Sequence, residues 1–280
     1  MAVKAADDFS LKEPHNIKRV WSSITAKEDA DFTKAKSAPL VTSIVLAVNK
    51  ACKSSPEFKG SIAQTAESVV KTKDLALKLI EAVVNAVDIP VTLKTRLGWD
   101  HNDLNAADLS SSAEKIGIQM ITIHGRTRCQ FYKGDADWRK IREVKEAVNI
   151  PVIANGDIID TPTAKLAMKQ SKADGVMIGR GAQGKPWLLS HIASEIFNTK
   201  PPEIPSGNKL LEMISNHYLE MLNFYGEQHG NKVARKHLGW YMDYIGVNPI
   251  DRRALQTETD PQKVLSMISS LSATEDNPCQ

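Results

Sequence analysis

The stretch AVDIPVTLK (residues 86–94) returns sixty-one residues later as AVNIPVIAN (residues 147–155). Each copy has the pattern of a helix end, a turn at an Ile-Pro pair and a short apolar strand, because proline ends helices and β-branched residues favour strands. Further apolar runs place strand starts near residues 90, 120, 151 and 175. Such spacing, with helical patterns between the runs, is typical of parallel βα units. The repeat therefore predicts four consecutive parallel strands within residues 87–183.

The strand bodies are alike, but their predicted C-terminal ends differ: Lys94, His124, Asn155 and the pair Gly179-Arg180. In a barrel of parallel strands, ligands bind at that end. Lys94 would offer a cation to an electron-rich ring or a phosphate. The equal alternative is that its side chain only extends into solvent at the strand end, without binding a ligand. His124 is followed by Gly125, which lets a ligand approach the backbone closely.

Two segments near these ends carry glycine. In IGRGAQGKPW (residues 178–187), freed backbone N–H groups beside Arg180 and Lys185 would suit a phosphate, which the late loops of such barrels often hold. In ANGD (residues 154–157), Asn-Gly could instead mark only a turn. Arg126 and Arg128 add positive charge after His124.

From about residue 206 the pattern is helical, after the linker NTKPPEIPSG. Lys232, Arg235 and Lys236 follow i, i+3, i+4 spacing and so share one helix face, which by composition alone indicates a solvated surface. The sequence predicts an α/β fold, a half TIM barrel of about four βα units over residues 74–200, then a helical bundle over residues 206–272. Residues 1–73 are predicted to be poorly ordered, and residues 273–280 a disordered tail.

The protein is predicted to be a cytoplasmic monomer. The 280 residues are 42% hydrophobic and 25% charged, with a net charge of +3 and a pI of 8.6. No apolar run reaches the length of a membrane span, and the mild basicity permits a polyanionic partner. The three cysteines are scattered without metal-ligand spacing, which indicates a reducing compartment and predicts no metal site.

Five motifs, in order and at their spacings, closely resemble the bacterial tRNA-dihydrouridine synthases. The resemblance covers about residues 74–245. The motifs are PVTLKTRLGWD (90–100), TIHGRTRCQFYKGDADW (122–138), IPVIANGDI (150–158), GVMIGRGAQGKPW (175–187) and ARKHLGWY (234–241).

The resemblance implies a TIM barrel that holds FMN and a C-terminal helical domain that binds tRNA. NADPH would reduce the flavin, which would then reduce the C5–C6 double bond of a uridine. Lys94 would contact the flavin ring, with His124 beside it near the substrate. The ribityl and phosphate contacts would come from Asn155, Gly156, Asp157, Gly179 and Arg180. The tRNA contacts would come from Arg126, Arg128, Lys232, Arg235 and Lys236.

The first part of the chain departs from the family pattern. An early "APM"-type FMN loop, a flavin-contacting glutamine and the "GCP" motif with its general-acid cysteine are unmatched, so no catalytic residue is identified. The nearest trace is SSPEFKG (residues 54–60), where serine would be a far weaker acid than a thiol. We therefore expect impaired uridine reduction. The alternative is a non-catalytic remnant or a tRNA-binding pseudoenzyme.

Overall fold

The computed structural model describes residues 73–271. The expectations of a poorly ordered N-terminal segment and of a disordered tail concern residues outside this range, apart from Lys73. Within it, four strands alternate with helices before the chain becomes wholly helical.

The strands are β1 (Thr92–Arg96), β2 (Met120–His124), β3 (Val152–Asn155) and β4 (Gly175–Met177). The helices are α1 (Lys73–Val84), α2 (Ala106–Ile116), α3 (Trp138–Ala147), α4 (Thr161–Ser171), α5 (Leu188–Phe197), α6 (Gly207–Tyr225), α7 (Glu227–Ile245), α8 (Pro249–Thr257) and α9 (Pro261–Ser269), with a 3-10 helix at Arg180–Ala182.

The four strands form one parallel sheet in the order β1-β2-β3-β4. Sequential neighbours joined by helical crossovers are the pattern of a parallel barrel wall. Leu93 of β1 packs with buried residues of the first two helices, among them Ile80 and Leu109. Ile121 and Ile123 of β2 are fully buried. The prediction of a partial TIM barrel followed by helices is confirmed.

The register corrects one strand end. Arg96 pairs with His124, whereas Lys94 pairs with Thr122. The prediction that Lys94 ends its strand is therefore wrong by two residues, because Thr95 and Arg96 continue the ladder. Since side chains alternate along a strand, Lys94 and Arg96 still share one face of the sheet.

The chain divides into two compact units. The first holds the described residues up to Ile158 together with Thr163–Met177, and the second holds Ile159–Pro162 and the residues from Ile178 onward. The sequence predicted the boundary between the half barrel and the helical domain near residues 200–206. The observed division is earlier, since Trp187 belongs to the helical core and its ring lies 5.1 Å from that of Tyr244.

The helical unit is built on a close crossing of α6 and α7. A β-carbon added at Gly230 would lie 2.6 Å from the carbonyl oxygen of Met221 and 2.8 Å from the Cα of Leu222. The next residue, Asn231, is buried and donates to the carbonyl oxygens of Glu258 and Thr259 at 3.2 and 3.0 Å. Glycine and asparagine at these positions therefore join the α6–α7 pair to the loop before α9.

Substituting Gly230 by alanine tests this crossing. Because the obstructing atoms are backbone, Gly230→Ala should lower the free energy of unfolding by about 1–3 kcal/mol, as overpacking does. The measurement is urea unfolding. The matched control is Gly239→Ala, where the nearest atom belongs to the flexible side-chain amide of Gln256. Its loss should be smaller, and equal losses at the two sites would contradict the packing account.

Candidate functional site

Four residues stand level at the C-terminal ends of the strands, and we call them the strand-end row: Arg96, His124, Asn155 and Met177. The Asn155 side-chain amide donates to the carbonyl oxygen of Met177 at 2.8 Å. This bond ties the end of β3 to the end of β4. The structure thus brings His124 and Asn155 together at one end of the sheet, as the sequence predicted.

Lys94 lies on β1 two residues before Arg96, and so just before the strand-end row. Its side chain is exposed and makes no hydrogen bond or ion pair with the residues that the structure describes. Partial removal of the ammonium group from water, and then the charge of Arg96, lower the pKa of Lys94 from its usual value. An unpaired lysine held beside an arginine favours the approach of an anion or of an electron-rich group.

His124 is buried and uncharged. Its pKa is lowered to about 4, mainly by burial and then by the positive charges of Arg96, Lys94 and Arg126, while Asp157 opposes the shift. The Nη1 of Arg126 lies 3.4 Å from His124 Nε2. Because a guanidinium only donates, this geometry assigns Nε2 as the acceptor and places the ring proton on Nδ1.

Gly156 makes room for that imidazole. Its φ is +111°, and a β-carbon there would lie 2.7 Å from His124 Cδ2. Gly156 was predicted to contact the cofactor. Among the described residues, its demonstrable role is to let His124 pack against the backbone.

Arg126 and Asp157 bind one another. Arg126 Nη1 and Nη2 donate to the two carboxylate oxygens of Asp157 at 2.8 and 2.6 Å, and Nη2 also donates to the carbonyl oxygen of Gly134. The backbone N–H of Ala136 donates to Asp157 at 2.8 Å. The Arg126 side chain is only 4% exposed. A buried, bidentate arginine organises the protein itself, so this geometry assigns Arg126 a positioning role in place of the expected tRNA contact.

Arg96 was missed by sequence reasoning. Its Nη1 donates to the carbonyl oxygens of Thr127 and Phe131 at 2.7 and 2.8 Å. It thereby braces the loop Thr127–Gly134, which follows β2 and is called the 127–134 loop below. The signal that could have found Arg96 is its two-residue spacing from Lys94, which puts both cations on one strand face.

Of the remaining predicted residues, Arg128 lies on the 127–134 loop of the first unit, and the others lie in the second unit. Gly179 and Arg180 begin the 3-10 helix directly after β4, and a β-carbon at Gly179 would meet nothing within 4 Å, so its backbone is open to close approach. Lys232 and Lys236 of α7 are exposed, while Arg235 is half-buried.

An apolar groove follows the outer edge of β1. Its volume is about 330 Å³, and it lies between α1 and β1 with Ile80, Val83, Val91 and Leu109 in its lining. The groove wall is therefore mostly apolar, and Lys73 and Lys94 also line it. Within residues 73–271 no group of three His, Cys, Asp or Glu side chains is placed to hold a metal ion, and no helix is both long and apolar enough to cross a membrane.

Removing the Asp157 carboxylate should leave a guanidinium buried without its partner. We expect Asp157→Ala to lower the free energy of unfolding by about 3 kcal/mol in urea titrations. Glu143→Ala is the control, because Glu143 pairs with Lys140 at 2.6 Å on the exposed surface. That change should stay within about 0.5 kcal/mol. If the two variants lose the same stability, the Arg126–Asp157 pair does not organise this end of the sheet.

The neutral His124 makes stability depend on pH. Its folded-state pKa of about 4 lies below the unfolded value of 6.5, so as pH falls the unfolded chain takes up a proton first. The histidine's contribution is therefore fully present above about pH 6.5 and is lost between pH 6.5 and 4, with a slope of at most about 1.4 kcal/mol per pH unit. The imidazole midpoint can be measured by NMR, and the slope by comparing urea unfolding of the wild type and His124→Gln. An imidazole titration midpoint near 6.5 in the folded protein would contradict the buried, cation-flanked environment described for His124.

Comparisons with known proteins agree with the resemblance. A family model described as dihydrouridine synthase matches residues 67–276. A probable tRNA-dihydrouridine synthase from Rhodobacter capsulatus is 48% identical over 226 residues, covering 81% of this chain and 68% of that protein. The tRNA-dihydrouridine synthase B of Pasteurella multocida is 38% identical, covering 79% of this chain and 66% of that protein.

This chain thus spans about two thirds of the length of these relatives. A solved dihydrodipicolinate synthase from Bacillus anthracis aligns with 82% of this chain and 91% of its own at 15% identity, with a TM-score of 0.32. The family match covers most of the sequence and includes every motif on which the resemblance rests. The chain belongs to the dihydrouridine synthase family.

Proposed function

We propose that this chain binds FMN at the C-terminal ends of its strands and serves the NADPH-dependent reduction of a uridine C5–C6 double bond in tRNA. The observation that carries the proposal is the arrangement of Lys94, Arg96 and the neutral His124 on adjoining positions at the ends of β1 and β2. Family membership supports the choice of flavin and of tRNA.

The residues present fit a flavin. FMN has a planar ring with electron-rich carbonyl oxygens and a dianionic phosphate, and when bound it supplies the hydride for the double bond. Lys94 would donate to the ring oxygens, since its ammonium has no partner among the described residues. His124 would donate to the same ligand from Nδ1. In the second unit, Gly179 and Arg180 at the start of the 3-10 helix remain predicted phosphate ligands.

Other residues would act by positioning these donors. Gly156 leaves the space that His124 occupies, and Asp157 holds Arg126, which accounts for their places in the motifs without direct cofactor contact. Asn155 fixes the end of β3, because its side-chain amide donates to the carbonyl oxygen of Met177. Its backbone carbonyl oxygen accepts a hydrogen bond from the N–H of Gly125 at 2.9 Å.

The tRNA would be held by cations. Lys232 and Lys236 stand exposed one turn apart on α7, with Arg235 beside them, and Arg128 lies on the 127–134 loop. Contacts of this kind bind phosphates without reading sequence, and their affinity falls steeply with salt.

A cytoplasmic monomer remains the prediction for the protein in the cell.

A second candidate function is tRNA binding without reduction. The observation that favours it is the absence of a matched general acid: within residues 73–271 the one free cysteine is Cys129, which is exposed on the 127–134 loop. Loss of a general acid lowers rates by about 10²–10⁴. We therefore propose flavin and tRNA binding with strongly reduced turnover.

The experiment is a flavin titration followed by an activity assay. By equilibrium dialysis, Lys94→Ala should weaken FMN binding about ten-fold or more, the usual effect of a lost charged hydrogen bond. Lys115→Ala, which removes an exposed lysine from the last turn of α2, should not change it. Failure of the wild type to bind FMN, or equal binding by both variants, would contradict the proposed site.

The activity assay mixes protein, FMN, NADPH and unmodified tRNA and measures dihydrouridine. The account predicts a rate about 10²–10⁴ below that of a full-length relative, with tRNA still bound. Turnover at the relative's rate would show that a general acid is present and was not identified.

A further inference from the structure

Two neighbouring aromatic residues are turned into solvent on the 127–134 loop. Phe131 is 56% exposed and Tyr132 is 64% exposed. Single exposed apolar side chains are ordinary on protein surfaces, but adjacent exposed rings form a patch that commonly serves in binding.

The loop is held in this conformation by several bonds. Arg96 donates to the carbonyl oxygens of Thr127 and Phe131, and the Thr127 backbone N–H donates to the side chain of Gln130 at 2.8 Å. Phe131 itself has a φ of +52°, in the left-handed region that side chains rarely adopt. Surrounding bonds thus maintain a strained backbone whose result is an exposed ring. A ligand that binds such a loop loses little affinity to the ordering of the protein.

Cations accompany both rings. The Arg128 guanidinium lies 4.3 Å from the centre of the Phe131 ring, and that of Arg96 lies 5.7 Å from the centre of the Tyr132 ring. Lys133 is also exposed, and the loop contains no acidic residue. Aromatic faces interleaved with positive charge match single-stranded nucleic acid, whose bases stack and whose phosphates are anionic. Protein–protein interfaces are also rich in aromatic residues and arginine but poor in lysine, so the exposed Lys133 beside the rings favours a nucleic acid.

The loop adjoins the candidate cofactor site. Arg96 belongs to the strand-end row and bonds directly to the loop. Arg126, which contacts His124, donates from Nε to the carbonyl oxygen of Lys133 at 3.4 Å. Nucleotides on the rings would therefore lie beside the residues proposed to face the flavin.

We propose that Phe131 and Tyr132 form a stacking platform for unpaired nucleotides of the RNA substrate, with Arg128 and Lys133 beside the phosphates. The proposal rests on the proposed function for the identity of that RNA. It gives the chain a second RNA contact, on the barrel unit, in addition to the helical one.

The test measures the affinity of the full chain for a single-stranded oligouridine and for a blunt RNA duplex of equal length, by fluorescence anisotropy. Phe131→Ala and Tyr132→Ala should each weaken oligouridine binding by about five-fold to a hundred-fold, the range found for base–aromatic stacking, and leave duplex binding unchanged. Phe131→Tyr and Tyr132→Phe, which keep a ring, should bind like the wild type. Phe197→Ala, which removes an exposed ring from the end of α5, is the matched control.

Unchanged oligouridine binding by both alanine variants would overturn the proposal, as would an equal loss of duplex binding. A change in self-association with RNA binding intact would assign the rings to a protein contact and also overturn it. If an alanine variant fails to fold, comparison of Phe131→Leu with Phe131→Tyr decides the same point. Wild-type protein that binds oligouridine through these rings but binds no FMN would refute the proposed function and leave the platform standing.

Discussion

The ion pair between Arg126 and Asp157 is the interaction on which the candidate site depends. It joins the segment after β2 to the segment after β3, thirty-one residues later in the chain. A guanidinium that is almost wholly removed from water is tolerated only when a partner neutralises it and accepts its hydrogen bonds. Asp157 does so with both oxygens, and the carbonyl oxygen of Gly134 accepts another bond. The arrangement fixes the far end of the 127–134 loop and one wall of the His124 environment.

This pair also determines the electrostatics of the strand ends. Asp157 offsets part of the charge of Arg126, and Lys94 and Arg96 bring further positive charge close to His124. Together with burial they keep His124 neutral, so the site presents cations and a neutral hydrogen-bond donor without a competing cationic imidazole. Such a set suits a ligand that carries both carbonyl oxygens and phosphate. Arg96 links this chemistry to the loop through its bonds to Thr127 and Phe131.

The repeated phrase was enough to predict the sheet, because helix end, Ile-Pro turn and apolar strand depend on local preferences that recur with each unit. The position of Lys94 was wrong by two residues, since the ladder extends to Arg96 by pairing that no local pattern marks. The Arg126–Asp157 pair could not be predicted either. Arginine commonly binds phosphates and aspartate commonly binds the hydroxyl groups of cofactors, and only the folded register brings the two together. Gly156 likewise resembles a turn residue until the imidazole beside it is seen.

The central claim is that FMN binds at the strand ends of the barrel unit, and backbone NMR of the full chain during FMN titration tests it most directly. The account predicts saturable shifts of the amide signals of Lys94, Arg96, His124 and Asn155. The amides of Ile80 and Val83, on the α1 wall of the apolar groove, should change little. Shifts confined to α1, or no saturable shift at the strand ends, would contradict the account.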